Sequence, residues 1–275
     1  ALVKKIWEKY YDRLTYFEIT GSNIEVTNEN YPYLYNLLIE ACSILDIKKI
    51  PPLYLEASPY INAYATGVSR PLIVITYAAI ERLNEAELLY VIAHELGHIN
   101  SQHVLYYDLA SNLSPFIEIA GQLSLGIGTL AGNGFKIALS YWRRMSEFTA
   151  DRAGLLVSQD TSICMRSLIK CSGLPLDNIE IKKFEKSFIK QAEDFEDFDY
   201  GTLNKLIRFQ ITVDNTHPWN VLRASELLKW ESSEEYKKIL KRETIIEESI
   251  STPQELLCPQ CNAEISENFK FCKNC

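Results

Sequence analysis

His94, Glu95 and His98 are the residues of this chain whose types and spacing are best suited to chemistry. They form the segment His94-Glu95-Leu96-Gly97-His98, and on a helix positions i and i+4 lie one above the other on one face. Two imidazole nitrogens can then meet a single metal ion. Glu95 projects in an adjoining direction, close enough to meet a water on that metal. Zinc brings the pKa of such a water towards neutrality, and a neighbouring carboxylate can take its proton. Helix signals surround the segment: Asn84 is a good N-cap, Glu87 stands three residues later as in a capping box, and Leu88, Val91, Ile92, Leu96 and Ile99 supply an apolar face. The competing reading is a chance pairing of one buried and one solvated histidine, which a chain holding only four histidines makes rare.

A two-histidine site needs a third protein ligand and a fourth position open to water. Glu147 and Asp151 are four residues apart and share one helical face. Glu147 can be the third ligand. Asp151, one turn on, can accept the free ring N–H of a metal-bound histidine, and Arg144 can steady a neighbouring carboxylate. Taken alone, this pair would read as a solvated helix face with ordinary i,i+4 charges. His103, five residues past His98, is expected to face elsewhere on the helix and to be structural.

The elements that must position these groups follow from composition and periodicity. A chain of 275 residues, 47% hydrophobic and 23% charged, is long enough for one large domain with a small appendage. Its net charge of −8 argues against nucleic acid as a partner, since phosphate binding needs a basic field. The start, Ala1-Leu2-Val3-Lys4-Lys5-Ile6-Trp7-Glu8, lacks the apolar stretch of a secretory signal, so a cytoplasmic setting is expected. Short strands are expected at Tyr16–Ile19 and Ile24–Val26, a helix over Tyr31–Leu45, and a strand at Leu53–Glu56. After the small, polar stretch Asn62–Gly67 comes an apolar strand, Pro71–Thr76. It is either an interior strand or an exposed edge that an extended peptide could join. Residues 178–200 read as an amphipathic packing helix, and residues 220–242 as a helix pair. The fold class expected is α+β and mainly helical, with a small sheet flanking the motif helix.

One further stretch bears on location. The uncharged run from Ile119 to Phe135 carries Gly121, Gly126, Gly128, Gly132 and Gly134, and falls short of the about 20 apolar residues that a spanning helix needs. It reads as a buried or interfacial helix with a loop, which leaves open a peripheral membrane contact through residues 115–140.

Together the two helical motifs, H-E-L-G-H and R-x-x-E-F-x-A-D-R, resemble the gluzincin metallopeptidases of the HtpX and CAAX prenyl protease family. Asn62-Ala63-Tyr64-Ala65-Thr66-Gly67 is similar to that family's N-A-x-A-x-G stretch before the edge strand, and Thr216-His217-Pro218 through Arg223 to its T-H-P-x-x-x-x-R element. The resemblance covers roughly residues 55–225. It implies that His94, His98 and Glu147 bind a catalytic zinc, that Glu95 is the general base and that Asp151 orients a ligand. It further implies that His217 donates to the oxyanion, that Arg223 supports it, and that Asn62, Ala63 and Tyr64 line the substrate cleft. In that family the segment between the two helices is often membrane-embedded; here it is the weak, glycine-rich run.

The tail carries a second motif. Cys258-Pro259-Gln260-Cys261 and Cys272-Lys273-Asn274-Cys275 form two C-x-x-C knuckles, and four thiolates at this spacing favour a closed structural zinc site. The segment resembles a zinc ribbon, with paired disulfides or redox thiols as the competing reading. The acidic setting favours a protein partner for it. The whole reads as a metallopeptidase domain over residues 1–242, a linker over 243–257 and a ribbon over 258–275, holding two zinc ions. The function expected is zinc-dependent endopeptidase action on protein or peptide substrates. The alternative is a protein-binding adaptor that keeps the protease fold with weak or suppressed hydrolysis.

Overall fold

The computed structural model describes residues 11–106, 122, 127–174, 180–197, 218–241, 256–257 and 264–265. The chain divides into two compact units, residues 1–230 and 231–275.

The described part of the first unit opens with helix α1, Tyr11–Ser22, where a strand was expected at Tyr16–Ile19. The alternation of Tyr16, Phe17, Glu18 and Ile19 imitates a strand, but Ile19 packs from the helix onto Tyr54, Leu72 and Val74 of the sheet, with Tyr16 beside it. Tertiary burial overrides a local β preference here. Asp12, at the start of α1, accepts hydrogen bonds from the backbone N–H groups of Val68 and Ser69 (2.8 and 2.7 Å) and from the Ser69 hydroxyl (2.6 Å). It thereby ties α1 to the turn between two later strands.

Strand β1 (Ile24–Val26), helix α2 (Pro32–Ile44, with proline at its first position) and strand β2 (Leu53–Glu56) follow as expected. Strands β3 (Ala63–Thr66) and β4 (Leu72–Thr76) complete a four-stranded sheet of order β1-β2-β4-β3, in which only β2 and β4 are parallel. The apolar run Leu72-Ile73-Val74-Ile75 is therefore interior, and every residue of β4 is buried. The edge strands are β1 and β3, and β3 is the half-buried Ala-Tyr-Ala-Thr stretch that looked merely small and polar.

After the short helix α3 (Tyr77–Arg82) comes α4, Glu85–Asn100. Its start obeys local chemistry: the Asn84 side chain accepts from the Glu87 N–H and Glu87 accepts from the Asn84 N–H, both at 2.9 Å. Buried Lys170 donates to the same buried Glu87 carboxylate at 2.8 Å and to the Arg82 carbonyl at 3.1 Å. Helix α5, Ile127–Ser158, includes the later part of the glycine-rich run. Residues 115–121 and 123–126 lie outside the described residues, and no described helix is long and apolar enough to cross a membrane. Helices α6 (Thr161–Cys171), α7 (Glu180–Asp197) and α8 (Asn220–Ser232) complete this part of the chain. Helix α7 buries Ile181 and Ala192 but leaves Phe184 exposed, so its apolar stripe is only partly covered within the described residues.

Helices α4 and α5 form the most extensive helix pair, and they approach closely at two glycines. A Cβ on Gly97 would lie 2.8 Å from the Ala153 Cβ and 3.0 Å from the Ala150 Cα; one on Gly154 would meet the Tyr90 ring at 2.5 Å. Backbone atoms cannot retreat as a flexible side chain can. Gly97→Ala is expected to destabilise the fold by about 1–3 kcal/mol through overpacking, measured as a lower denaturant midpoint.

In the second unit, α9 (Glu234–Lys241) buries Tyr236, and strands β5 (Leu256–Leu257) and β6 (Glu264–Ile265) pair antiparallel. Cys258, Cys261, Cys272 and Cys275 lie outside the described residues.

Candidate active site

The close crossing of α4 and α5 brings together side chains that lie far apart in the sequence. His94 and His98 stand one turn apart on α4, with their Nε2 atoms 3.1 Å from each other. Glu147 of α5 faces both: its Oε2 is 3.5 Å from His94 Nε2 and its Oε1 3.5 Å from His98 Nε2. One donor atom from each of the three residues falls within 4.8 Å of the others, all three residues are buried, and Glu147 is 0% exposed. Ligands about 2.0–2.1 Å from a tetrahedral ion are separated by about 3.3–3.4 Å, so these spacings fit one metal ion without moving an element. Two neutral imidazoles and one carboxylate are also a suitable donor set for a borderline cation.

Behind His94 stands Asp151, one turn on from Glu147. Its Oδ1 lies 2.9 Å from His94 Nδ1, which leaves Nε2 facing Glu147. Asp151 is itself held on three sides. Tyr90 donates its hydroxyl to Oδ1 at 2.8 Å, and Arg223 of α8 donates from Nε to Oδ2 at 2.8 Å and from Nη2 to Oδ1 at 2.5 Å. Helix α8 is placed for this by Asn220, whose amide donates to the Leu168 carbonyl and the Ser172 hydroxyl. Among the described residues Arg223, expected to support His217, braces Asp151. His217 lies outside the described residues.

Electrostatics follow from this arrangement. Burial alone would raise the pKa of Asp151, but the Arg223 charge and the hydrogen bonds from Arg223 and His94 outweigh it and hold the carboxyl well below its usual range. Burial opposes charge on His94, yet its hydrogen bonds to Asp151 and Glu147 prevail and raise it to about 10. The pocket thus favours positive charge at the His94 ring edge, which a bound cation would supply. His98 is shifted well down, by burial first and then by His94. A depressed carboxyl pKa contributes stability that is complete above the unfolded value, about 3.9, and is lost as pH falls through the folded one. With chelator present, the melting-temperature advantage of the parent chain over Asp151→Asn should therefore be greatest at about pH 5–6, shrink below about pH 4 as the carboxyl is protonated, and shrink again above about pH 6.5, where the unfolded chain gives up the His94 proton that Asp151 helps the folded chain retain.

A cleft of about 260 Å³ opens beside His94 and Glu95. Ile61, Asn62 and Ala63 form the wall next to β3, and Ser167, Leu168 and Cys171 of α6 line it as well. Glu95 is buried within this lining, 6% exposed. Of the three residues expected along the substrate path, Asn62 and Ala63 are there and Tyr64 is not. Successive strand residues face opposite ways, and the Tyr64 side chain packs beside the Ile19–Tyr54–Leu72–Val74 cluster while donating its hydroxyl to Glu56 at 2.9 Å. Arg144 is buried, with its guanidinium carbon 5.8 Å from the Tyr141 ring centroid.

Two residues were missed or misjudged. Tyr90 stands four before His94 and so shares its face, a spacing that could have flagged it. His103 does not face elsewhere: its Nδ1 lies 3.1 Å from His98 Nδ1. The expectation failed because it extended the helix through His103, whereas α4 ends at Asn100 and Gln102 takes a left-handed φ of 55°.

A helix pair bearing His-Glu-x-x-His on one member and a facing glutamate on the other defines a metal centre of the metallopeptidase kind. A family model described as peptidase family M48 matches residues 40–231, and the chain belongs to that family. It is 35% identical over 239 residues to plastoglobule-localized metallopeptidase 48, chloroplastic, of Arabidopsis thaliana, covering 84% of this chain and 66% of that protein. It is 26% identical over 189 residues to protease HtpX homolog 2 of Methanosarcina acetivorans (61% of this chain, 63% of that one). Against a protease HtpX homolog of Helicobacter pylori it is 28% identical over 196 residues (63% and 62%). The chain thus spans slightly under two thirds of the length of these relatives.

Proposed function

We propose that this chain is a zinc-dependent endopeptidase, with His94, His98 and Glu147 as the zinc ligands and Glu95 as the general base. The observation that carries this reading is the convergence of the three donors at one edge of a cleft that Glu95 also lines. A zinc ion held there would supply a Lewis acid that acidifies water and polarises a peptide carbonyl. The chain's own groups do the rest. Asp151, braced by Arg223 and Tyr90, holds the His94 ring with Nε2 turned to the ligand cluster. Glu95 takes the proton of the attacking water and returns it to the leaving amine. Strand β3 is an open edge beside the cleft, and an extended substrate can pair with its outer backbone groups while Asn62 and Ala63 border the scissile bond. Tyr64 contributes only its backbone in this scheme. His217 is the oxyanion donor proposed from the T-H-P motif.

The protease-named relatives support proteins or peptides as the substrate class. For the tail we propose a structural zinc on Cys258, Cys261, Cys272 and Cys275, supported by their C-x-x-C spacing.

The test is hydrolysis of a permanently unfolded protein such as reduced, alkylated casein by the full chain, with chelator and with zinc restored. Cleavage that stops with chelator and returns with stoichiometric zinc supports the reading. A chain that holds zinc at His94 and His98 but only binds such proteins would favour the adaptor alternative.

A further inference from the structure

The two histidine ligands are backed differently. Behind His94 stands a carboxylate, itself neutralised by Arg223. Behind His98 stands a second imidazole, with the two Nδ1 atoms 3.1 Å apart. The fold builds this contact deliberately. Helix α4 closes as the Ser101 N–H bonds the Gly97 carbonyl and the Gln102 N–H bonds the Ile99 carbonyl; the left-handed Gln102 then turns the chain so that His103 comes back under His98. His103 is 6% exposed, and its ring meets Trp142 of α5 edge-on, centroids 5.1 Å apart at 84°. Tyr106 lies against the same indole at 4.6 Å. Packing thus holds the His103 ring in one orientation.

We propose that His103 is a positioning residue for His98: its Nδ1 lone pair accepts the His98 Nδ1–H and so keeps the His98 Nε2 lone pair aimed at the metal. The inference rests on the metal reading above and adds to it. A neutral imidazole carries one N–H and one lone pair. His98 Nε2 points at His94 Nε2 and Glu147 Oε1, at 3.1 and 3.5 Å, so its lone pair is required there and its hydrogen belongs on Nδ1. Two nitrogens 3.1 Å apart can share only one hydrogen, so His103 must present its own lone pair on Nδ1 and carry its hydrogen on Nε2. The wrong tautomer of His103 would set two N–H groups against each other and turn the His98 ring away. A neutral acceptor also keeps a further anion out of a site that already holds Glu95, Glu147 and Asp151.

The test uses the full chain, with His94→Ala/His98→Ala as the baseline that removes zinc held elsewhere. His103→Phe keeps a ring against Trp142 but has no acceptor; His103→Asn places an amide oxygen near the former Nδ1. The zinc dissociation constant of the site, read by competition with a chelating dye, should rise about 10–100-fold in His103→Phe and stay within about threefold of the parent in His103→Asn. Nitrogen-15 spectra of the zinc-loaded parent should show His98 protonated at Nδ1 and His103 at Nε2. The proposal is overturned if His103→Phe binds zinc like the parent, if both variants weaken it equally, or if His98 carries its hydrogen on Nε2. A parent that binds no zinc beyond the baseline removes the metal reading itself, and this proposal with it.

Discussion

Glu147→Gln is expected to release the metal from the site and leave the helices in place. Glu147 comes from α5, while both other donors stand on α4, so it alone makes the site tertiary. The amide keeps the volume of a side chain that is 0% exposed, so no cavity opens. What changes is charge: an anionic donor becomes a neutral, weaker one. Structural zinc sites yield about 10–16 kcal/mol over four ligands, so losing one should weaken binding on the order of 10²–10³-fold. The measurement is zinc per chain after dialysis against a buffered metal concentration, with circular dichroism to confirm the helices. A variant that retained zinc at the parent level would remove Glu147 from the ligand set.

Glu95→Gln should do the opposite, keeping the metal and losing the chemistry. Glu95 lines the cleft beside His94 but is not among the three converging donors. A general base contributes about 10²–10⁴-fold, and the amide cannot take a proton from water, so kcat should fall by that factor with KM little changed. Zinc content should match the parent. A residual rate within about tenfold of the parent would assign proton transfer to another group.

How much of this was legible in the sequence depended on how local the cause was. The capping box at Asn84 and Glu87 is settled within four residues and could be read directly. The i,i+4 placement of His94 and His98, and of Glu147 and Asp151, needs only helical geometry. That the two pairs meet depends on the close contact at Gly97, Ala150, Ala153 and Gly154, which no spacing rule announces. His103 was misplaced because periodicity says where a helix points, not where it stops. Edge and interior strands were likewise undecided, since Leu72–Ile75 would be apolar in either role and only pairing on both sides distinguishes them. The anchoring of Asp12 to Val68 and Ser69 spans more than fifty positions and left no local trace.

Because the donors sit at residues 94, 98 and 147, an ion gripping all three fastens shut a long loop of chain. It would work as a removable rivet between two helices that already approach closely at Gly97, Ala150, Ala153 and Gly154. Heat resistance would then track the supply of free zinc, rising by an equal step for each tenfold increase once binding is saturated.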